Sequence, residues 1–282
     1  MTAGDAGRLT ALAAIWGSSF LFMRIAAPAL GVALTAELRT LIAGLGLAAY
    51  VRFARFDPQW RRWWLQYVVV GALTSAIPFA LYAYAALEVS AGLMAVLNAT
   101  APMFGALLGV LLLGDRFTAW RAAGLALGVA GVVLLSRAEA GSGLALLGIA
   151  AALGAAFFYR LAGVYMKRFT SEIPARGMAL GTQLAAAALL LPFVAAAPPA
   201  AMPPTLVLGA ILALGLLCGS VAYVLYFRLI ADIGPAGALT VTYLIPLFGV
   251  LWGALFLGEA VSLSMLAGGA LVIMGTIMVL RN

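Results

Sequence analysis

The sequence predicts an all-α polytopic membrane protein of ten transmembrane helices, arranged as two inverted five-helix repeats. Three observations predict it. Hydrophobic residues make up 66% of the 282 positions and charged residues only 9%, against about 25% charge in soluble domains. The apolar residues fall into long runs with the cations set between them. One apolar phrase is also written twice: Asn98–Asp115 reads NATAPMFGALLGVLLLGD, and 144 residues later Thr242–Glu259 reads TYLIPLFGVLWGALFLGE.

A bilayer core about 30 Å thick needs roughly 20 helical residues at about 1.5 Å each. Ten runs meet that length: 9–28, 33–53, 65–87, 91–113, 118–136, 143–167, 174–197, 205–230, 235–257 and 262–280. Strands of a barrel would alternate over stretches of about ten residues, which these do not. Arg24, Glu37 and Arg39 fall toward the outer ends of the first two runs, where an Arg24–Glu37 ion pair is the expected arrangement. Glycines 124, 128 and 131 in the fifth run, and 268, 269 and 275 in the tenth, read as close helix packing. The first run is too long for a signal peptide, lacks a small-residue cleavage site and is needed for the repeat. Cys218 stands alone, which excludes an intramolecular disulfide or a thiolate metal cluster and reads as packing.

The net charge of +7 does not point to nucleic acid, because the cations form no basic patch on a soluble face. They read instead as topology signals. With the N-terminus cytoplasmic, the inner side holds Arg8, Arg52, Arg55, Arg61, Arg62, Arg116, Arg121, Lys167, Arg168, Arg176 and Arg281, and the outer loops only Arg137. The positive-inside rule then puts both termini in the cytoplasm.

At an offset of 144, Pro102 meets Pro246, Phe104 meets Phe248, Gly105 meets Gly249, Gly109 meets Gly253, Gly114 meets Gly258 and Asp115 meets Glu259. Tyr82 meets Tyr226 upstream, and Gly124 and Gly131 meet Gly268 and Gly275 downstream. At the front an offset of 143 pairs Phe22–Arg24 with Tyr165–Lys167. The halves, 1–140 and 141–282, carry five helices each. Five is odd, so the second half enters the membrane from the opposite side. Such inverted repeats characterise secondary transporters; a purely structural duplication is the competing reading.

AIWGSSFLFMRIA at 14–26, LRTLIAG at 38–44 and the two repeated phrases resemble the EamA-type members of the drug/metabolite transporter superfamily, over essentially the whole chain. Within it the chain is most similar to the YddG-type exporters of amino acids, aromatic ones included. The resemblance implies a carrier of the bacterial inner membrane with ten helices in inverted halves around a central cavity. Members export amino acids, other metabolites or drugs, so the family does not fix the ligand.

Several residues are candidates for contact with a transported solute. Trp16, Ser19 and Phe20 belong to a Trp-Gly-Ser-Ser-Phe run that lets a backbone or ligand approach closely beside an indole. Tight packing with hydroxyls bonded back to the preceding turn is the other reading. Tyr159 mirrors Trp16. Phe79 and Tyr82, mirrored by Tyr223 and Tyr226, are spaced by three and so share a helix face. They suit a greasy, hydroxyl-edged pocket, although aromatic stripes also serve as core or interface belts. Asn98 and Thr242 stand four residues before Pro102 and Pro246, whose missing N–H leaves the carbonyls of these two residues free. Such carbonyls survive at membrane depth only if buried, satisfied or lining water, so symmetric kinks at the prolines are expected, with Tyr243 beside Thr242. Arg160, two turns in from the cytoplasmic end of its run, would meet a substrate carboxylate, snorkel or pair with an acid.

Absences narrow the function. There is no histidine, and no Asp or Glu near the middle of any run. The membrane-embedded Glu that small multidrug antiporters of this superfamily carry in their first helix is missing, which disfavours a cation/proton antiporter. Phosphorylated substrates would call for several buried cations, and Arg160 alone is too few. No nucleophile–base pair, carboxylate pair or H-E-x-x-H motif supports an enzyme. The expected function is export of small metabolites, amino acids foremost, with broad specificity, by alternating access and without proton coupling. A multidrug or quaternary-amine exporter, holding cations on aromatic faces, is the alternative; a non-catalytic scaffold is another. The expected partners are a small-molecule substrate and the lipid bilayer, with no cofactor, no metal and no nucleic acid, and the expected state is a monomer.

Overall fold

The computed structural model describes residues 2–139, 143–196 and 202–280. The junction at 140, the loop around Pro199 and Arg281 lie outside the described residues. Nine helices among the described residues are long and apolar enough to cross a bilayer: α1 (Ala3–Phe53), α2 (Trp60–Glu88), α3 (Ala91–Leu113), α4 (Ala119–Arg137), α5 (Gly143–Phe169), α6 (Ala175–Ala196), α7 (Thr205–Gly234), α8 (Gly237–Leu257) and α9 (Leu263–Leu280). Their bounds follow the expected runs to within a few residues. The count differs because runs 9–28 and 33–53 form one 51-residue element.

That element is not straight. Gly31 has φ 76° and ψ 170°, outside helical space, a conformation that glycine tolerates because it has no Cβ. The Arg39 guanidinium lies 3.5 Å from Met23 Sδ, 16 residues away in sequence; a straight helix would separate them by about 24 Å. The chain therefore reverses at Gly31, and α1 is two arms, 3–30 and 32–53, packed side by side.

Packing follows the logic of a lipid solvent. Large side chains such as Leu111, Leu191, Leu206, Leu247 and Leu255 are exposed, whereas Ala26, Ala27, Ala85, Ala95, Ala152 and Ala155 are fully buried. Small residues inside let helix backbones approach, where dispersion and hydrogen bonding replace the hydrophobic effect. The α4–α9 pair is the clearest case: a Cβ on Gly131 would sit 2.7 Å from the Gly268 carbonyl, and one on Gly124 2.7 Å from that of Gly275. Polar bonds cross other helix pairs. Ser220 Oγ donates to Ala43 O at 3.1 Å, Thr276 Oγ1 to Ala99 O at 2.8 Å and Trp252 Nε1 to Ala14 O at 2.9 Å.

The repeated Leu-Gly-acid phrase closes α3 and α8 in the same way. Gly114 and Gly258 take φ of 72° and 66° as left-handed caps, their N–H groups donating to Gly109 O and Gly253 O. The acids then diverge. Glu259 accepts from Ala91 N–H at 2.8 Å and Gly92 N–H at 3.1 Å, tying the end of α8 to the first turn of α3. Asp115 lies instead 3.9 Å from Arg121 on its own side of the bundle. Residues 91–97 of α3 are all buried, whereas at the start of α8 Leu239 is 44% exposed and Thr240 is exposed.

Two expectations need correction. No Arg24–Glu37 ion pair forms among the described residues; Arg24 donates to Ala86 O at 2.5 Å and Leu87 O at 3.2 Å. Those carbonyls end α2 and carry the negative pole of its dipole, an equally good partner. Nor do the prolines act alike. Upstream of Pro102, α3 is interrupted at Ala99 and Thr100 and restarts with the proline in its first turn, where no N–H is needed. The segment Val241–Leu257 stays helical through Pro246.

Candidate functional site

A cavity of about 310 Å³ occupies the middle of the bundle. Seven helices line it; the glycine-packed pair α4 and α9 does not. Trp16 on the first arm of α1 tilts against Tyr226 at 5.3 Å between ring centroids and meets Tyr223 edge-on at 6.5 Å. Its indole N–H donates to Cys218 O at 3.2 Å. Phe20, one turn on, is edge-on to Tyr82 at 5.4 Å, and Tyr82 lies 6.1 Å from Tyr159 of α5. The Tyr82 hydroxyl donates to Asn98 Oδ1 at 2.9 Å. The result is a wall of ring faces and edges.

The glycine and serines between Trp16 and Phe20 serve packing first. A Cβ on Gly17 would meet Phe248 Cβ at 2.7 Å, and Ser18 and Ser19 bond back to Ile15 O at 2.8 Å and Trp16 O at 2.6 Å. Ser19 nevertheless reaches the cavity. Eleven of the twelve sequence-derived solute contacts line it, together with Pro102; the exception, Tyr243, borders a separate small recess with Pro102 and Thr242. Pro246 is buried and does not line it.

The other lining residues include Met23, Arg39, Thr74 and Gln183, which were not among those contacts. Another, Cys218, was read as packing; it is buried, its thiol donates to Ile15 O at 3.1 Å, and it borders the cavity. Thr74 and Cys218 sit on π-helical turns, Ala72–Ala76 in α2 and Ala213–Val221 in α7. The two residues are 144 positions apart. A π-turn inserts one residue into the helix and re-aims its neighbours, and such turns concentrate at functional sites. Arg39 and Gln183 are also 144 apart, so the repeat offset was the signal that could have found both pairs.

The polar lining is one-signed. Among the described residues, Arg39 and Arg160 line the cavity and no Asp or Glu does. Arg39 is only 7% exposed, with its guanidinium carbon 3.6 Å from the centroid of the Phe79 ring. Arg160 is half-buried, its stem against Gly105 and its Nε without a hydrogen-bond partner. Gln183 is 1% exposed; its Nε2 donates to Ser75 Oγ at 3.1 Å and its Oε1 has no partner. Accessibility rises toward Leu239, which puts the mouth at the start of α8, opposite the end held by Glu259.

A sequence profile of the EamA-like transporter family matches residues 8–137 and again 146–281. The chain is 27% identical over 268 residues to the uncharacterized transporter YvbV of Bacillus subtilis, covering 94% of this chain and 88% of that one. It is 30% identical over 274 residues to the uncharacterized inner membrane transporter YedA of Escherichia coli, covering 94% and 87%. A probable terminal-alkyne amino-acid exporter of Streptantibioticus cattleyicolor is 27% identical over 278 residues, covering 95% and 90%. One solved crystal structure superposes with a TM-score of 0.67 at 20% identity, over 99% of this chain and 97% of its own, and so shares the fold.

Proposed function

The chain belongs to the EamA-like transporter family, and from that membership we propose that it exports small metabolites, amino acids including aromatic ones foremost, by alternating access. One observation carries the reading: an aromatic, hydroxyl-edged cavity of about 310 Å³ in the middle of a multi-pass bundle, with its mouth at one end. That volume and wall suit a solute with a flat apolar body and a few polar groups. The similarity to a probable amino-acid exporter is consistent with it.

In this reading the two arms of α1 cross the membrane separately, which makes ten crossings in two inverted halves, 1–140 and 141–282. The positive-inside rule puts both termini, and the mouth beside Leu239, in the cytoplasm of a bacterial cell. Arg228 and Asp232, which pair at 3.2 Å close to that mouth, fit a water-facing end. Transport needs no proton cycle, because the lining offers no carboxylate and the chain no imidazole to titrate. The working unit is the monomer, since the cavity is walled within one chain. Reconstitution in liposomes tests the proposal: counterflow of a labelled amino-acid panel is expected to show exchange. Failure of every amino acid, alongside flux of lipophilic cations, would overturn it.

A further inference from the structure

The exporter reading names a class of solute but not the group that holds it, and the lining carries that choice further. Burying a cation without a counter-charge is costly, and buried charges in membranes are paired, solvated by a cavity or functional. Arg39 is buried and ends over the Phe79 ring, with a weak 3.5 Å contact to Met23 Sδ as its hydrogen bond. The nearest acid in sequence, Glu37, lies two residues away, off the lining and outside ion-pair distance. Arg160 adds a second cation nearer the mouth, also without an ion pair among the described residues. Two cations therefore stand at two depths in a cavity whose lining, among the described residues, holds no acid to balance them.

From this arrangement we infer that the cavity is an organic-anion site, in which Arg39 receives the carboxylate of the solute and the aromatic wall its apolar body. The inference rests on the exporter reading for the place of binding and departs from it on charge. The forked guanidinium matches a carboxylate with two parallel hydrogen bonds. Its central carbon lies 3.6 Å from the centroid of the Phe79 ring, at the aromatic wall that receives the apolar body. Arg160 draws an anion in past the mouth. The unbonded Gln183 Oε1 can accept from a solute hydroxyl or ammonium, but nothing negative requires the ammonium. Carboxylates without an amino group are accordingly ligands in their own right, and amines without a carboxylate are not. Cation–π contacts with Trp16 or Tyr226 do not reverse this preference, because a solute cation would meet two guanidiniums in the same low-dielectric space.

Three solutes that share one phenyl body separate the alternatives: phenylalanine, 3-phenylpropionate, which lacks the ammonium, and phenethylamine, which lacks the carboxylate. Binding to the purified full-length protein is read from the fluorescence of Trp16, against a Trp16→Phe control. 3-Phenylpropionate is expected to bind at least as tightly as phenylalanine, and phenethylamine at least about tenfold more weakly. Arg39→Gln should weaken both carboxylates by about 10- to 100-fold, the range for a lost hydrogen bond to a charged group, and leave phenethylamine unchanged or tighter. Arg39→Lys should recover part of the loss. Phenethylamine binding as tightly as phenylalanine, or no binding by any of the three, overturns the inference. If Arg39→Gln does not fold, the ligand series on the wild-type protein decides by the same criterion. Carboxylates that bind while counterflow stays silent would sink the exporter reading and leave the anion site standing. Amines that bind and are carried would do the reverse.

Discussion

Replacing Glu259 with glutamine should unfasten one end of the bundle. The carboxylate accepts two backbone N–H groups, from Ala91 at 2.8 Å and Gly92 at 3.1 Å, at the positive end of the α3 dipole. Hydrogen bonds to a charged group contribute about 1.5–3 kcal/mol and neutral ones about 0.5–1.5 kcal/mol. A glutamine amide keeps one acceptor and turns a donor toward the other N–H, so the loss is about 2–3 kcal/mol. That shifts an equilibrium between closed and open ends by roughly 30- to 150-fold. The assay is side-specific labelling of a cysteine at Met23, a buried lining residue, in a Cys218→Ala background. An impermeant thiol reagent applied from the side where α3 begins should react at least tenfold faster after Glu259→Gln, and more slowly from the side of Leu239. Unchanged rates from both sides would refute the idea that this contact holds the end shut. Rates that rise from both sides would show that the contact holds the fold together.

Three further outcomes are expected. Trp16→Ala, Tyr82→Ala and Tyr226→Ala should each weaken solute binding by about 1–3 kcal/mol, more for bulky solutes than for small ones, while the protein still inserts, with Tyr82→Ala also lowering the melting temperature because that ring is fully buried; wild-type rates for every solute in Tyr82→Ala would place that ring outside the pathway. Counterflow rates at pH 6 and pH 8 should agree within about twofold, since no carboxylate lines the cavity and the chain has no histidine; a proton flux stoichiometric with solute would overturn this. A cysteine at Asp57 should label only after permeabilisation and one at Pro199 from outside, and the opposite pattern would invert the orientation.

The spans were legible because length and apolarity are properties of composition, and eight of the ten runs coincide with separate helices. The azimuth of each helix was harder to read. In a soluble protein an amphipathic stripe marks the inward face, but lipid and protein interior are about equally apolar, so that stripe is faint. Arg39 shows the consequence. Its position near the end of a run suggested an outer-end charge, while the reversal at Gly31 and the packing of both arms turn it onto Met23 and Phe79. The aromatic candidates were easier to place on one wall, because pairs such as Phe79 and Tyr82 carry their own phase and the repeat offset marked their partners. The π-turns left no local signature: ALTSA and ALGLLCGSV read as ordinary helical sequence.

Duplication should make the two ends of such a carrier energetically alike, yet one peptide nitrogen prevents it. The position 144 residues beyond Ala91 is Pro235, which has no N–H to offer Asp115, so the bond pair that Glu259 makes cannot be copied at the opposite end. In the proposed alternating-access cycle the empty protein would therefore dwell facing one compartment. For a passive carrier, detailed balance fixes the ratio Vmax/KM to be equal in the two directions, whatever the dwell times. A tilted resting state cannot make such a carrier one-way. It lowers the apparent KM on the side that the empty carrier faces, because more of the protein is competent to bind there, and it lowers Vmax for that direction by the same factor. Directionality then belongs to the solute gradient, and the proline sets the concentration range over which that gradient is felt.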